Sequence, residues 1–138
     1  MNLILGHLIG DYLTQNSWMA VNKVRSDVIG YLACFTHCCV YSMAVSAYLF
    51  LGNQAFDWRA IDATALPVII FITHFPIDKL SLGKIWLERF LGTPMPKPGG
   101  AITIRSIFTI FVYIVVDNTM HLILMVTLIK VFYPGLLL

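Results

Sequence analysis

Residues 28–51, VIGYLACFTHCCVYSMAVSAYLFL, contain no Asp, Glu, Lys or Arg. A helix needs about 20 such residues to cross the hydrocarbon layer, where every backbone polar group must be paired within the protein. Residues 106–129, SIFTIFVYIVVDNTMHLILMVTLI, repeat the feature with a single Asp. The whole chain is 59% hydrophobic and 12% charged, with mean hydropathy +0.82. Soluble domains run near 25% charged residues, so the composition is that of a membrane protein.

Two further runs are candidates. Residues 63–82 carry Asp78 and Lys79 near their end, and residues 2–22 carry Asp11 as the only formal charge. The reading predicts an all-α polytopic membrane protein, with one domain over 1–138 and a bundle of four transmembrane helices (2–22, 28–51, 63–82, 106–129). The period-two alternation of a barrel strand is absent. No basic segment or small-residue cleavage site marks the first run as a cleavable signal. The segment 79–92, KLSLGKIWLERFLG, mixes Leu, Ile, Trp and Phe with Lys84, Glu88 and Arg89. That pattern suits a helix lying in the interface between spans three and four, or a cytoplasmic extension of the third span. TPMPKPGG (93–100), with three prolines and two glycines, reads as a loop.

Basic residues set the orientation. Lys23 and Arg25 follow the first run, and Lys79, Lys84, Arg89, Lys97 and Arg105 follow the third. Only Arg59 and Lys130 remain. Seven of the nine therefore face the cytoplasm of a cytoplasmic (inner) membrane if both termini lie outside. The net charge of +2 is small and scattered, so nucleic acid is not an expected partner. The lipid bilayer is, together with a second copy of the chain or a larger membrane complex. Cys34, Cys38 and Cys39 share one apolar run and read as packing residues. Cys38, beside His37, is also a candidate soft metal ligand.

Against this background the polar residues stand out. All four histidines (His7, His37, His74, His121) and three of the six aspartates (Asp11, Asp78, Asp117) fall inside predicted spans. HLIGD (7–11), HFPID (74–78) and DNTMH (117–121) each place His and Asp four apart, on one helix face. A carboxylate at bilayer depth costs upward of roughly 2.5 kcal/mol, so these groups should face one another, water or a cation. Spans one and three run in one direction and read His then Asp. Span four runs oppositely and reads Asp then His. The predicted site has a histidine tier and an aspartate tier roughly 6 Å apart, with the histidines outermost and His37 free to join either.

Imidazole and carboxylate suit Zn, Mn or Fe. His7, Asp11, His37, His74, Asp78, Asp117 and His121 are the candidate metal ligands. They suffice for two ions, or for one ion with supporting Asp–His pairs. Hydrogen-bonded pairs that fix helix packing without a metal are the alternative. Gln15, Trp18 and Asn22 continue the first face and predict a polar stripe towards the cytoplasmic surface. Pro76 should kink the third helix. Asn118 is a candidate supporting donor. Gly6 and Gly10 permit close helix approach.

Those four blocks, HLIGDYLTQNSWMAVNK, FTHCC, HFPIDK and DNTMH, resemble in type and order a family of small bacterial and phage integral membrane proteins of unknown function. The resemblance spans nearly the whole chain and implies a shared polar site without an activity. More distantly the chain resembles membrane-bound metal-dependent hydrolases. Three functions follow. In a metal-dependent hydrolase, Asp11, Asp78 and Asp117 would be the catalytic carboxylates and a membrane phosphoester the substrate. No HExxH or nucleophile motif accompanies them. The others are a proton- or metal-ion-conducting protein and a non-catalytic accessory subunit of a membrane assembly.

Overall fold

The computed structural model describes residues 2–96, 100–134 and 136. Among these the chain is all-helical. Helix α1 (Asn2–Leu8) passes directly into a π-helical turn, Ile9–Leu13. Then come α2 (Ser17–Asn22), α3 (Val28–Gly52), α4 (Asp62–Leu80), α5 (Leu82–Phe90) and α6 (Ile104–Phe132). Helices α3, α4 and α6 are long and apolar enough to cross a membrane. At about 1.5 Å per residue they reach ~37, ~28 and ~43 Å, against a hydrocarbon core of about 30 Å. Large apolar side chains on them, such as Val28, Met43, Ile72, Phe108 and Val131, are more than half exposed. That surface suits lipid far better than water.

The N-terminal segment departs from the unbroken helix expected over 2–22. The Thr14 amide donates to the Ile9 carbonyl at 3.1 Å, closing the wide π-turn, and the Thr14 hydroxyl donates to Gly10 at 2.7 Å. Asn16 is extended and restarts the helix by accepting from the Met19 amide at 2.9 Å. The Thr14 and Asn16 side chains bond nearby backbone in place of extending a helix, and Asn is a favoured N-cap. The broken segment nonetheless runs antiparallel along α3. The Asn2 amide donates to the Gly52 carbonyl at 2.8 Å, and Gly6 packs on Val45 and Tyr48. Gly10 meets Tyr41 so closely that a Cβ there would lie 2.5 Å from the ring. At the far end Asp27, ion-paired to Arg25, caps α3 by accepting from Gly30 at 2.9 Å. The Arg25 guanidinium holds the exposed Asp27 carboxyl below the usual carboxylate range.

The two ends of the bundle differ in chemistry. Leu3, Leu49, Leu66, Ile129, Tyr133 and Leu136 belong to one apolar cluster. The first and last described stretches of chain therefore share an end, with Phe50, Phe56 and Trp58 packed around it. At the other end the Lys79 ammonium donates to the Arg25 carbonyl at 2.5 Å and lies 3.9 Å from the centre of the Tyr31 ring.

Helix α4 continues through both Pro67 and Pro76. It stops at Ser81, whose left-handed backbone (φ 49°, ψ 51°) turns the chain into α5. Helix α5 buries Gly83 and Leu87 and exposes Ile85 and Phe90. Gly83 packs on α6 at Asp117, where a Cβ would come within 2.9 Å of the carboxylate and 3.3 Å of the Asp117 backbone. Of the predicted loop, 93–96 and Gly100 have no regular structure. Lys97, Pro98 and Gly99 lie outside the described residues, as do the chain's terminal residues 1 and 137–138.

Candidate metal centre

Five elements each contribute to one buried cluster. His7 lies on α1, Asp11 in the π-turn, His37 on α3, His74 and Asp78 near the end of α4, and Asp117 and His121 in the middle of α6. The four histidines are at most 3% exposed, Asp78 is 4% and Asp11 8% exposed, and the Asp117 side chain is 17% exposed. The π-turn widens the helix at Asp11. Such turns occur often at functional sites, because they re-aim a side chain out of the regular register.

At the centre two imidazole nitrogens face each other and two carboxylate oxygens. His37 Nε2 lies 3.2 Å from His74 Nε2, 3.3 Å from Asp11 Oδ1 and 3.0 Å from Asp78 Oδ2. His74 Nε2 lies 3.7 Å from Asp11 Oδ1 and 3.4 Å from Asp78 Oδ2. Asp11 Oδ1 has no hydrogen-bond partner. A buried carboxylate oxygen without a donor is costly, and a cation between these atoms would remove the cost. Asp11, His37 and His74 form one group that could hold a metal ion.

Asp78 faces a second group with its other oxygen. His121 Nε2 lies 3.6 Å from Asp78 Oδ1 and has no hydrogen-bond partner. His121 Nδ1 donates to the Asp117 carbonyl at 2.9 Å, which leaves Nε2 as the bare lone pair. Asp78, Asp117 and His121 each offer one donor atom within 4.8 Å of the others. A third group joins Cys38 to His74 and Asp78, although Cys38 also lies 4.0 Å from the Cys34 sulfur.

The surroundings fix the ligand rings. Asn118 donates to the Tyr12 hydroxyl and to the Ile114 carbonyl, both at 2.6 Å. Its Oδ1 is thereby turned to accept from His7 Nε2 at 2.8 Å. His7 Nδ1 then accepts from the Tyr41 hydroxyl at 2.7 Å. Both His7 nitrogens are engaged, so His7 stands beside the cluster and supports Asp11, whose Oδ2 is 3.6 Å away. Tyr41 stacks on His74 with ring centres 3.6 Å apart and planes 16° from parallel. That contact holds the His74 ring, whose Nδ1 has no partner. Lys23 donates to Asp78 Oδ2 at 2.9 Å.

A cavity of about 220 Å³ adjoins the cluster, lined in part by Asp11, Tyr12, Gln15, Lys23, Tyr113 and Asp117. It lies beside the break between the π-turn and α2. The predicted polar stripe is therefore carried by Gln15 and Lys23. Trp18 and Asn22 lie off it, because the break at 14–16 resets the helical phase. The two predicted tiers also merge. Side chains lean towards the start of their own helix, so Asp78 reaches back to His74 and imidazole and carboxylate tips interleave at 3.0–3.7 Å. Among the residues at the site that escaped the sequence reading are Tyr41, Lys23 and Gly83. Tyr41 sits four residues after His37, on the same face. Lys23 is 55 residues from its partner and Gly83 is 34 from Asp117, and neither has a local signal.

Fold and cluster together define an α-helical protein of membrane-spanning character built around a buried His/Asp site. The chain belongs to the family described as "Protein of unknown function (DUF3307)", whose model matches residues 1–136. No curated protein and no solved structure matches it. These comparisons bring in no hydrolase.

Proposed function

We propose that this protein is an integral membrane metalloprotein that holds a divalent ion between His37, His74, Asp11 and Asp78. One observation carries the reading. Five of the six separations among these four donor atoms run from 3.0 to 3.7 Å. Donors about 2.0–2.1 Å from a tetrahedral zinc-type ion lie ~3.3–3.4 Å apart. Two imidazoles and two carboxylates from three separate elements supply five edges close to that length before any ion is placed. Zn, Mn and Fe all accept these donors.

Residues 2–22 make a fourth, discontinuous crossing beside α3, α4 and α6, and α5 lies in the interface. The shared end of the first and last described stretches supports both termini on one side, and the count of basic residues supports that side being the outer one. The site then sits towards the cytoplasmic face of an inner membrane, next to Lys23 and Lys79.

Four protein donors close this position, so the ion there holds the buried carboxylates and the helices that carry them together. Asp117, partly exposed, lines the cavity beside this position. Lys23 is placed to meet an anionic group, and a lipid phosphoester is the substrate class that fits a cavity at this depth. The test is elemental analysis of detergent-purified protein prepared without chelators. About one or more equivalents of a transition metal, lost on Asp78→Asn, is the expected result. Metal-free protein with undiminished stability would sink the proposal.

A further inference from the structure

We infer that the cluster holds a second divalent cation, between Asp78, Asp117 and His121, with Asp78 bridging the two ions. This rests on the first ion being bound as proposed above. The observation behind it is separate. His121 is 1% exposed, and its Nε2 points at Asp78 Oδ1 from 3.6 Å with no hydrogen-bond partner. The ring's other nitrogen is held by the Asp117 carbonyl, as in metal-binding histidines whose second nitrogen is fixed by a carbonyl. Asp78 Oδ2 belongs to the first group and Oδ1 to this one, which is the arrangement of a bridging carboxylate.

The two positions differ in access. The first is enclosed by four protein donors. The second has three, and Asp117 among them lines the 220 Å³ cavity. Four protein ligands make a closed site, whereas three leave a coordination position for water or substrate. Charge sets a condition on the second ion. Asp11, Asp78 and Asp117 contribute −3 and Lys23 +1, so the cluster carries −2 with neutral imidazoles. One dication cancels this. A second leaves +2, which draws hydroxide or an anionic group into the cavity. Gly83 completes the position by letting α5 press on Asp117 without a side chain between them.

The experiment is metal counting with Zn²⁺ and electron paramagnetic resonance with Mn²⁺ on the full chain in detergent. Unmutated protein should bind two equivalents of Zn²⁺, and its Mn²⁺ form should give an exchange-coupled spectrum. Asp117→Asn and His121→Ala should each bind one equivalent and give an uncoupled six-line spectrum. Asp117→Asn keeps the side-chain volume, so it reads the site even if His121→Ala fails to fold, as judged by size-exclusion elution. One equivalent in the unmutated protein, or two equivalents retained in both variants, overturns this inference and leaves the first site standing. No metal in any form overturns both.

Discussion

His37 Nε2 on α3 and His74 Nε2 on α4 lie 3.2 Å apart, each almost fully buried. Two imidazole nitrogens at that distance share one proton or one metal ion. The same two atoms also face Asp11 and Asp78, so the proposed ion would meet both imidazoles. Replacing either histidine with Ala should weaken Zn²⁺ binding at this position by more than about 100-fold, since loss of a merely supporting partner already costs roughly 10–100-fold. Titration calorimetry reads this directly, and affinities within tenfold of the unmutated protein would exclude the pair as ligands.

Asn118 should act on the metal at one remove. Its Oδ1 accepts from His7 Nε2, and His7 stands 3.6 Å from Asp11. Asn118→Ala is expected to lower Zn²⁺ affinity by about 10–100-fold while the number of ions bound stays the same. A change in stoichiometry would instead make Asn118 a ligand.

Gly10 and Gly6 offer a matched pair for packing. A Cβ at Gly10 would meet the Tyr41 ring at 2.5 Å, whereas one at Gly6 would meet Tyr48 at 3.5 Å, an ordinary contact. Gly10→Ala should therefore destabilise the protein by roughly 1–3 kcal/mol through overpacking, and it should disturb His7 and His74 through Tyr41. Gly6→Ala should be close to neutral. Thermal unfolding of both in the same detergent compares them.

Lys23 donates to Asp78, whose side chain is 3% exposed. Removing one partner of a buried pair costs about 3–5 kcal/mol when nothing replaces the lost charge. Lys23→Met should therefore lower the melting temperature strongly in chelator-treated protein and much less in metal-loaded protein, where an ion still faces Asp78. Equal losses in both forms would show that no cation reaches this carboxylate.

Topology can be read independently. Reporter fusions after residue 136 should score outside, and cysteines placed near Lys84 should label from the cytoplasmic face. A cytoplasmic score at the C-terminal end would reverse the assignment.

The sequence by itself determined the helical character, the three long apolar segments and the choice of polar residues. Each follows from local chemistry: hydrocarbon demands paired backbone, and a charge at bilayer depth demands a partner. Spacing four apart also placed His and Asp of each pair on one face. What it missed depends on contacts between distant segments. The break at 14–16 is written in Thr14 and Asn16, yet it looks like a tolerable irregularity until Gly10 closes on Tyr41 and the cavity opens beside it. Which oxygen of Asp78 meets which imidazole, why both nitrogens of His7 are already engaged, and why Lys23 and Gly83 belong to the site were decided only by tertiary structure. Helical periodicity fixes a direction around one axis. The 3 Å geometry of donor atoms from four elements depends on how those axes pack and how side chains lean between them.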